Sequence, residues 1–166
     1  MNLKPQIITV NKFHLVGMKT SLTFYKNSPV ALWQQFMPRK KEIKNIYEDE
    51  LYSVQIYPKS YFENFNPETI FTILASTRVN SESLKVPEGM EHFIIPEGLY
   101  AKFTLTGMDI QGLMNTILIE WLPKSGFELA NRPHFQLMDK RYKHNQEDSE
   151  EDVFIPIEPI QHFNDL

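Results

Sequence analysis

Residues 99–138, LYAKFTLTGMDIQGLMNTILIEWLPKSGFELANRPHFQLM, restart a pattern that the first half of the chain has already run through. Leu99 to Thr106 reads as a strand. Asp109 is placed to cap a helix on which Ile110, Leu113, Met114, Ile117 and Trp121 fall at i, i+3, i+4, i+7 and i+11, a single apolar stripe. Pro123 and Gly126 stop that helix. Phe127 to Met138 is a strand interrupted near Asn131-Arg132-Pro133.

The first half has the same order. Gln6 to Thr20 is rich in Ile, Val, Thr and Phe and reads as extended, with a break near Asn11-Lys12. Ser28 is a candidate N-cap and Pro29 suits the first helical position, where a missing N–H costs nothing. Leu32, Trp33, Phe36 and Met37 then share one helical face, and Pro38 should end or kink the helix. Tyr52 to Pro58 alternates as a strand, with Tyr52, Val54 and Ile56 on one side and Ser53, Gln55 and Tyr57 on the other. Phe71 to Val79 is a further strand. Residues 80–98 read as a linker, including Asn80-Ser81-Glu82-Ser83, Pro87-Glu88-Gly89 and Pro96-Glu97-Gly98. After Met138, residues 142–152 read as a charged polar loop. Val153 to Ile157 is a last strand, expected at a sheet edge or end because of Pro156.

Both halves therefore run strand, helix, strand, strand. Ser53-Val54-Gln55-Ile56-Tyr57 is echoed by His134-Phe135-Gln136-Leu137-Met138, and Trp33 to Pro38 is echoed by Glu120 to Pro123. The expected fold is one α+β domain over residues 1–166, duplicated as pseudo-repeats 5–80 and 90–160. A pseudo-twofold would pair the halves in an antiparallel sheet with two helices and leave a central cleft, where ligands commonly bind.

Composition narrows the function classes. Hydrophobic residues make up 42% and charged residues 23%, as in a packed globular protein. The formal net charge of −4 gives no basic footprint for nucleic acid or an anionic membrane. Without cysteine there are no disulfides, catalytic thiols or thiolate metal sites. No signal peptide or apolar run of roughly 20 residues is present, so a soluble, cytoplasmic protein is expected.

No phosphate loop, dinucleotide fingerprint or nucleophile elbow occurs. The five histidines, His14, His92, His134, His144 and His162, have no metal-ligand spacing, and no metal or cofactor is expected. The tract Glu147-Asp148-Ser149-Glu150-Glu151-Asp152 reads as a solvated loop without an EF-hand pattern. Aromatic residues reach 13% and come from both halves: Trp33, Phe36, Tyr52, Tyr57, Tyr61, Phe62, Phe65 and Trp121. They are either core or the walls of a cleft for planar or cationic ligands. Gln55 and Tyr57 share a strand face, as do His134, Gln136 and Met138. These face solvent or a shared cavity, and periodicity does not choose between the two.

Several motifs together resemble the GyrI-like domain family. They are Leu32-Trp33 with Phe36-Met37-Pro38-Arg39; Ser53 to Tyr57; Tyr61-Phe62 and Phe65-Asn66-Pro67; Val86 to Glu91; Gly98 to Phe103; Trp121 to Gly126; Arg132-Pro133-His134-Phe135; and Ser149-Glu150-Glu151 through Ile155-Pro156-Ile157. The resemblance implies two strand-helix-strand-strand units around an aromatic cleft for small, often cationic or planar organic compounds. Relatives serve as effector-sensing parts of AraC- or MerR-type transcription activators or as gyrase modulators, and a few resemble hydrolases using a cleft glutamate with a tyrosine.

The resemblance also sets the expected site: Gln136, Gln55, Tyr57, Tyr61, Phe62, Phe65, Trp33, Phe36, Trp121, His134 and Met138. Three departures qualify it. No DNA-binding helices precede residue 6, so a stand-alone module is expected. The family's usual glutamate stands as Gln136, and its following tyrosine as Met138. A neutral amide there implies weaker preference for cations, with Glu91, Glu120 or Glu128 as possible substitutes. The leading expectation is ligand binding, sensing or sequestration by a monomer or weak dimer. One alternative is a hydrolase of electrophilic compounds using Tyr57 or Tyr61 with Glu128. Another is an interaction protein that binds gyrase or a regulator, with Arg39-Lys40-Lys41 and residues 147–152 as contact patches or as ordinary surface charge.

Overall fold

The computed structural model describes residues 3–80 and 85–161. His162 and the Ser81-Glu82-Ser83 part of the expected linker lie outside them. The strands are β1 (Gln6–Val10), β2 (Phe13–Leu22), β3 (Ile46–Ile56), β4 (Phe71–Val79), β5 (Glu91–Ile95), β6 (Gly98–Thr106), β7 (Phe127–Leu129), β8 (His134–Met138) and β9 (Glu150–Pro159). The helices are α1 (Val30–Phe36), α2 (Ile110–Thr116) and α3 (Leu122–Ser125). A 3₁₀ turn over Met37–Glu42 follows α1, and a π-helical turn over Ile117–Trp121 joins α2 to α3.

Local chemistry sets these boundaries. Asp109 Oδ1 accepts from Gly112 N at 2.9 Å, capping α2. Gly126, with φ +81°, takes the left-handed conformation that ends α3. Pro29 sits one place before the first helical residue of α1, and Ser28 Oγ accepts from Val30 N at 3.4 Å. Pro38 does not end the helix outright. It converts the chain to the tighter 3₁₀ turn, where an absent N–H is tolerated.

The main path of the antiparallel sheet is ordered β1-β6-β9-β8-β3-β4-β2-β5, with β7 paired to β9. That order is palindromic. Exchanging β1 with β5, β2 with β6, β3 with β8 and β4 with β9 returns the same list read backwards. The leading strand of each half pairs with the other half, β1 on β6 and β5 on β2. The symmetry axis falls in the central β3–β8 pair, where Val54 faces Phe135.

The two faces of the sheet differ. Val54, Tyr52, Phe135, Phe154, Phe13 and Tyr100 point to one side and form a buried aromatic core. Phe13 and Phe135 stand three strands apart, about 14 Å in a flat sheet. Their ring centroids lie 5.5 Å apart, so the sheet curls around this core. Phe135 and Phe154 are a cross-strand pair stacked at 4.4 Å, a contact worth roughly 0.5–1.5 kcal/mol beyond its buried area. On the other face the helices build two further cores. Leu32 and Phe36 of α1 pack on Val16, Ile73 and Ala75, and Leu113 and Ile117 pack on Phe103, Val153 and Ile155.

Three expectations are corrected. The linker-like stretch contains β5, a five-residue strand between turn residues. The acidic tract is not a solvated loop: β9 begins at Glu150, and Ser149, Glu151 and Asp152 are buried. β9 is interior to the sheet, between β6 and β8, although it carries Pro156. Pro156 O accepts from Ala130 N. Its nitrogen therefore faces the same side, where the chain breaks between β7 and β8 and asks for no donor.

Candidate ligand-binding site

Between the two helices, over the centre of the sheet, lies a cleft of about 1210 Å³, larger than the roughly 300–1,000 Å³ of ordinary small-molecule pockets. Ser53, Gln55, Tyr57, His134, Gln136 and Met138 form its floor. Strand alternation sends these residues to the face opposite Val54 and Phe135. One wall is α1, through Val30, Trp33 and Gln34, continued by Met37 of the 3₁₀ turn. The other is α2, through Ile110, Gln111 and Met114.

Of the expected site residues, Gln136, Gln55, Tyr57, Trp33, His134 and Met138 line the cleft. The rest lie elsewhere. Phe36 is fully buried under α1, since helical spacing puts it on the sheet-facing side with Leu32. Trp121 packs edge-on against Phe103, with centroids 5.1 Å apart. Tyr61 and Phe62 form a layer behind Tyr57, each with its centroid 4.8 Å from the Tyr57 ring. Phe65 stands farther out, half-exposed, against Phe24.

The floor is a directed hydrogen-bond chain. Gln55 Nε2 donates to Ser53 Oγ and to Gln136 Oε1, both at 2.9 Å. Gln136 Nε2 donates to Glu151 Oε1 at 2.7 Å. An ionised carboxylate only accepts, so Glu151 fixes which way the Gln136 amide faces. Glu151 is only 7% exposed yet lines the cleft, and loss of solvent raises its pKa above the ordinary value of 4.5. The bond from Gln136 opposes that rise, and the Asp152 charge adds to it. Among the described residues no lysine or arginine pairs with Glu151. Lys143, on the rim, is paired with Asp148 at 2.6 Å.

The acidic group of the cleft is therefore Glu151, not a residue expected from the sequence. Glu91, Glu120 and Glu128 do not line it. Glu91 pairs with Lys19, Glu120 is exposed and Glu128 lies on β7 opposite Glu158. The signal for Glu151 was available, because it falls in phase with Val153, Ile155 and Ile157 of the α2-side core. Its neighbour Asp152 points the other way and is held by Arg141 at 2.6 Å and Lys102 at 3.6 Å.

Aromatic character collects at the other end. The Tyr57 ring lies 5.0 Å from Phe71 and 4.9 Å from His134, and Phe62 lies 5.6 Å from His134. Burial pushes the Tyr57 hydroxyl pKa well up, so the phenol stays protonated and is a weak acid. His134 is 5% exposed, and burial drives its pKa down to about 3, so it is neutral at physiological pH. Its Nδ1 has no hydrogen-bond partner among the described residues. A histidine pair was not foreseen: His14 Nδ1 and His92 Nε2 lie 2.9 Å apart on β2 and β5, away from the cleft lining.

Beside the site, Arg132 locks the β7–β8 connection. Its Nη2 donates to Leu99 O at 2.8 Å and Ile157 O at 3.1 Å, and the guanidinium lies 4.8 Å over the Tyr100 ring. A Cβ at Gly98 would fall 1.7 Å from Arg132 Nη1, so only glycine leaves room for this arrangement.

Residues 3–158 match the model of the GyrI-like small molecule binding domain. The chain belongs to that family. This GyrI-like chain is 29% identical over 159 residues to the transcriptional regulator BrlR of Pseudomonas aeruginosa. The match takes in 94% of the chain but only 56% of BrlR, so the chain spans about half the length of that relative. The crystal structure of the EcmrR C-terminal domain superposes with a TM-score of 0.70 at 10% identity, covering 96% of this chain and all of that one. The structure of SAV2435 bound to tetraphenylphosphonium gives 0.67 at 11% identity, covering 96% and 97%. At these identities the two structures speak to the GyrI-like fold, a curled, mostly antiparallel sheet with helices on one face. No helix among the described residues is long and apolar enough to cross a membrane.

Proposed function

We propose that this domain is a receptor for small aromatic organic cations, which it captures in the cleft with the positive charge against Glu151. The observation that carries this reading is a buried carboxylate that lines an open cleft and has no basic partner among the described residues. Such a charge is costly in a low-dielectric setting unless something of opposite sign meets it. Trp33 and Tyr57 offer ring faces for cation–π contact, and Met37, Met114 and Met138 adapt to different shapes. The family membership supports small-molecule binding. The tetraphenylphosphonium complex of SAV2435 supports the cationic class, and BrlR supports a role in sensing upstream of transcription.

The two tryptophans make the test direct. Trp33 lines the cleft, whereas Trp121 packs against Phe103. Titration with tetraphenylphosphonium should change tryptophan emission in the wild type and in Trp121→Phe, but not in Trp33→Phe, and should raise Tm in all three. An unchanged Tm together with unchanged emission in the wild type would contradict the proposal.

A further inference from the structure

The palindromic sheet carries chemistry that is not palindromic. Gln55 and Gln136 are mates about the central axis, 81 residues apart. The same relation makes Ser53 the mate of His134 and Tyr57 the mate of Met138. On the flanking strands Ile73 pairs with Gln55 as Val153 pairs with Gln136. Two residues earlier on each strand, Phe71 takes the place that Glu151 takes in the second half. One end of the cleft is thus acidic, and the other is aromatic with a buried histidine.

Resting on the proposed reading of the cleft as a cation receptor, we infer that it holds elongated ligands in one orientation. The cationic group lies at Glu151, and a planar ring bearing a hydroxyl lies at His134. The spacing favours a rod-shaped ligand. Glu151 is level with Met138, four residues along β8 from His134 and one strand over, about 14 Å between Cα atoms. At the far end His134 is enclosed by the Tyr57 and Phe62 rings, with centroids 4.9 and 5.6 Å away, and its Nδ1 is unpartnered. A neutral imidazole has one N–H and one bare nitrogen. A hydroxyl both donates and accepts, so it satisfies either. In the reverse orientation the cation would sit among ring faces without a carboxylate. Charge pairing at low dielectric outweighs attraction to a ring quadrupole.

The test compares N-methyl-4-(4-hydroxystyryl)pyridinium with N-methyl-4-styrylpyridinium, which differ only by the hydroxyl, by calorimetric titration at neutral pH. The hydroxylated probe should bind the wild type roughly five-fold more tightly, as one buried hydrogen bond permits. His134→Phe should abolish that preference, whereas Glu151→Gln should weaken both probes and keep it. Equal binding of the two probes to the wild type overturns the inference and leaves the receptor reading intact, and the wild-type comparison requires no variant to fold. A preference that survives His134→Phe, or disappears in Glu151→Gln, overturns the orientation. If neither probe binds, the receptor reading fails and takes the orientation with it.

Discussion

Gln55 Nε2 donates to Gln136 Oε1 at 2.9 Å across the central strand pair, joining two residues that occupy equivalent positions in the two halves. The bond holds the Gln136 amide with its other end on Glu151. Gln136→Leu removes both contacts and leaves a buried carboxylate without its donor. Urea unfolding should show a loss of about 1–3 kcal/mol. A loss below about 0.5 kcal/mol would mean the chain of amides does not support the site.

His134 predicts a pH dependence of known sign. Its pKa falls from 6.5 to about 3 on folding. Between those values the unfolded chain binds a proton that the native state does not, so stability declines as pH falls below about 6.5, by up to about 1.4 kcal/mol per pH unit. Comparing unfolding free energies of the wild type and His134→Phe from pH 7 to pH 5 isolates this contribution. The variant should show a flatter profile, and parallel profiles would contradict the assignment.

Arg132 joins two backbone carbonyls from β6 and β9 and covers the Tyr100 ring. Arg132→Ala should cost about 2–4 kcal/mol in chemical denaturation. Arg132→Lys should recover less than half of that, because an ammonium cannot reproduce the planar fork. Full rescue by lysine would show that charge alone matters there.

Much of the scaffold was legible because periodicity reports burial. The alternation in Ser53 to Tyr57 and in His134 to Met138 showed which residues share a sheet face, while the packing of the helices decides that this face lines the cleft, and Asp109 and Gly126 marked the second helical segment. The helices were less informative about the site. Phe36 and Trp33 share an apolar arc, and only packing against Ile73 and Ala75 sends one to the core and the other to the cleft. Composition misled at residues 147–152, where a run of acids obscured the two-residue period that carries Glu151 inward and turns Asp152 toward Arg141. Pro156 suggested an edge because strand rules consider the residue alone, whereas its missing donor faces a break in the neighbouring chain.

The acidity of Glu151 links ligand binding to pH. Its pKa is raised, chiefly by burial, so cation affinity should begin to fall at a pH above that at which an ordinary glutamate titrates. Glu151→Gln should remove that dependence and leave Tm unchanged or higher, since an unpaired buried charge is lost.

The central claim is that one carboxylate supplies the charge that selects the ligand. Calorimetric titration of tetraphenylphosphonium against wild type and Glu151→Gln at neutral pH tests it directly. The expected result is a loss of affinity of about ten-fold or more in the variant, at least about 1.4 kcal/mol. Equal affinity of the two proteins would contradict the account.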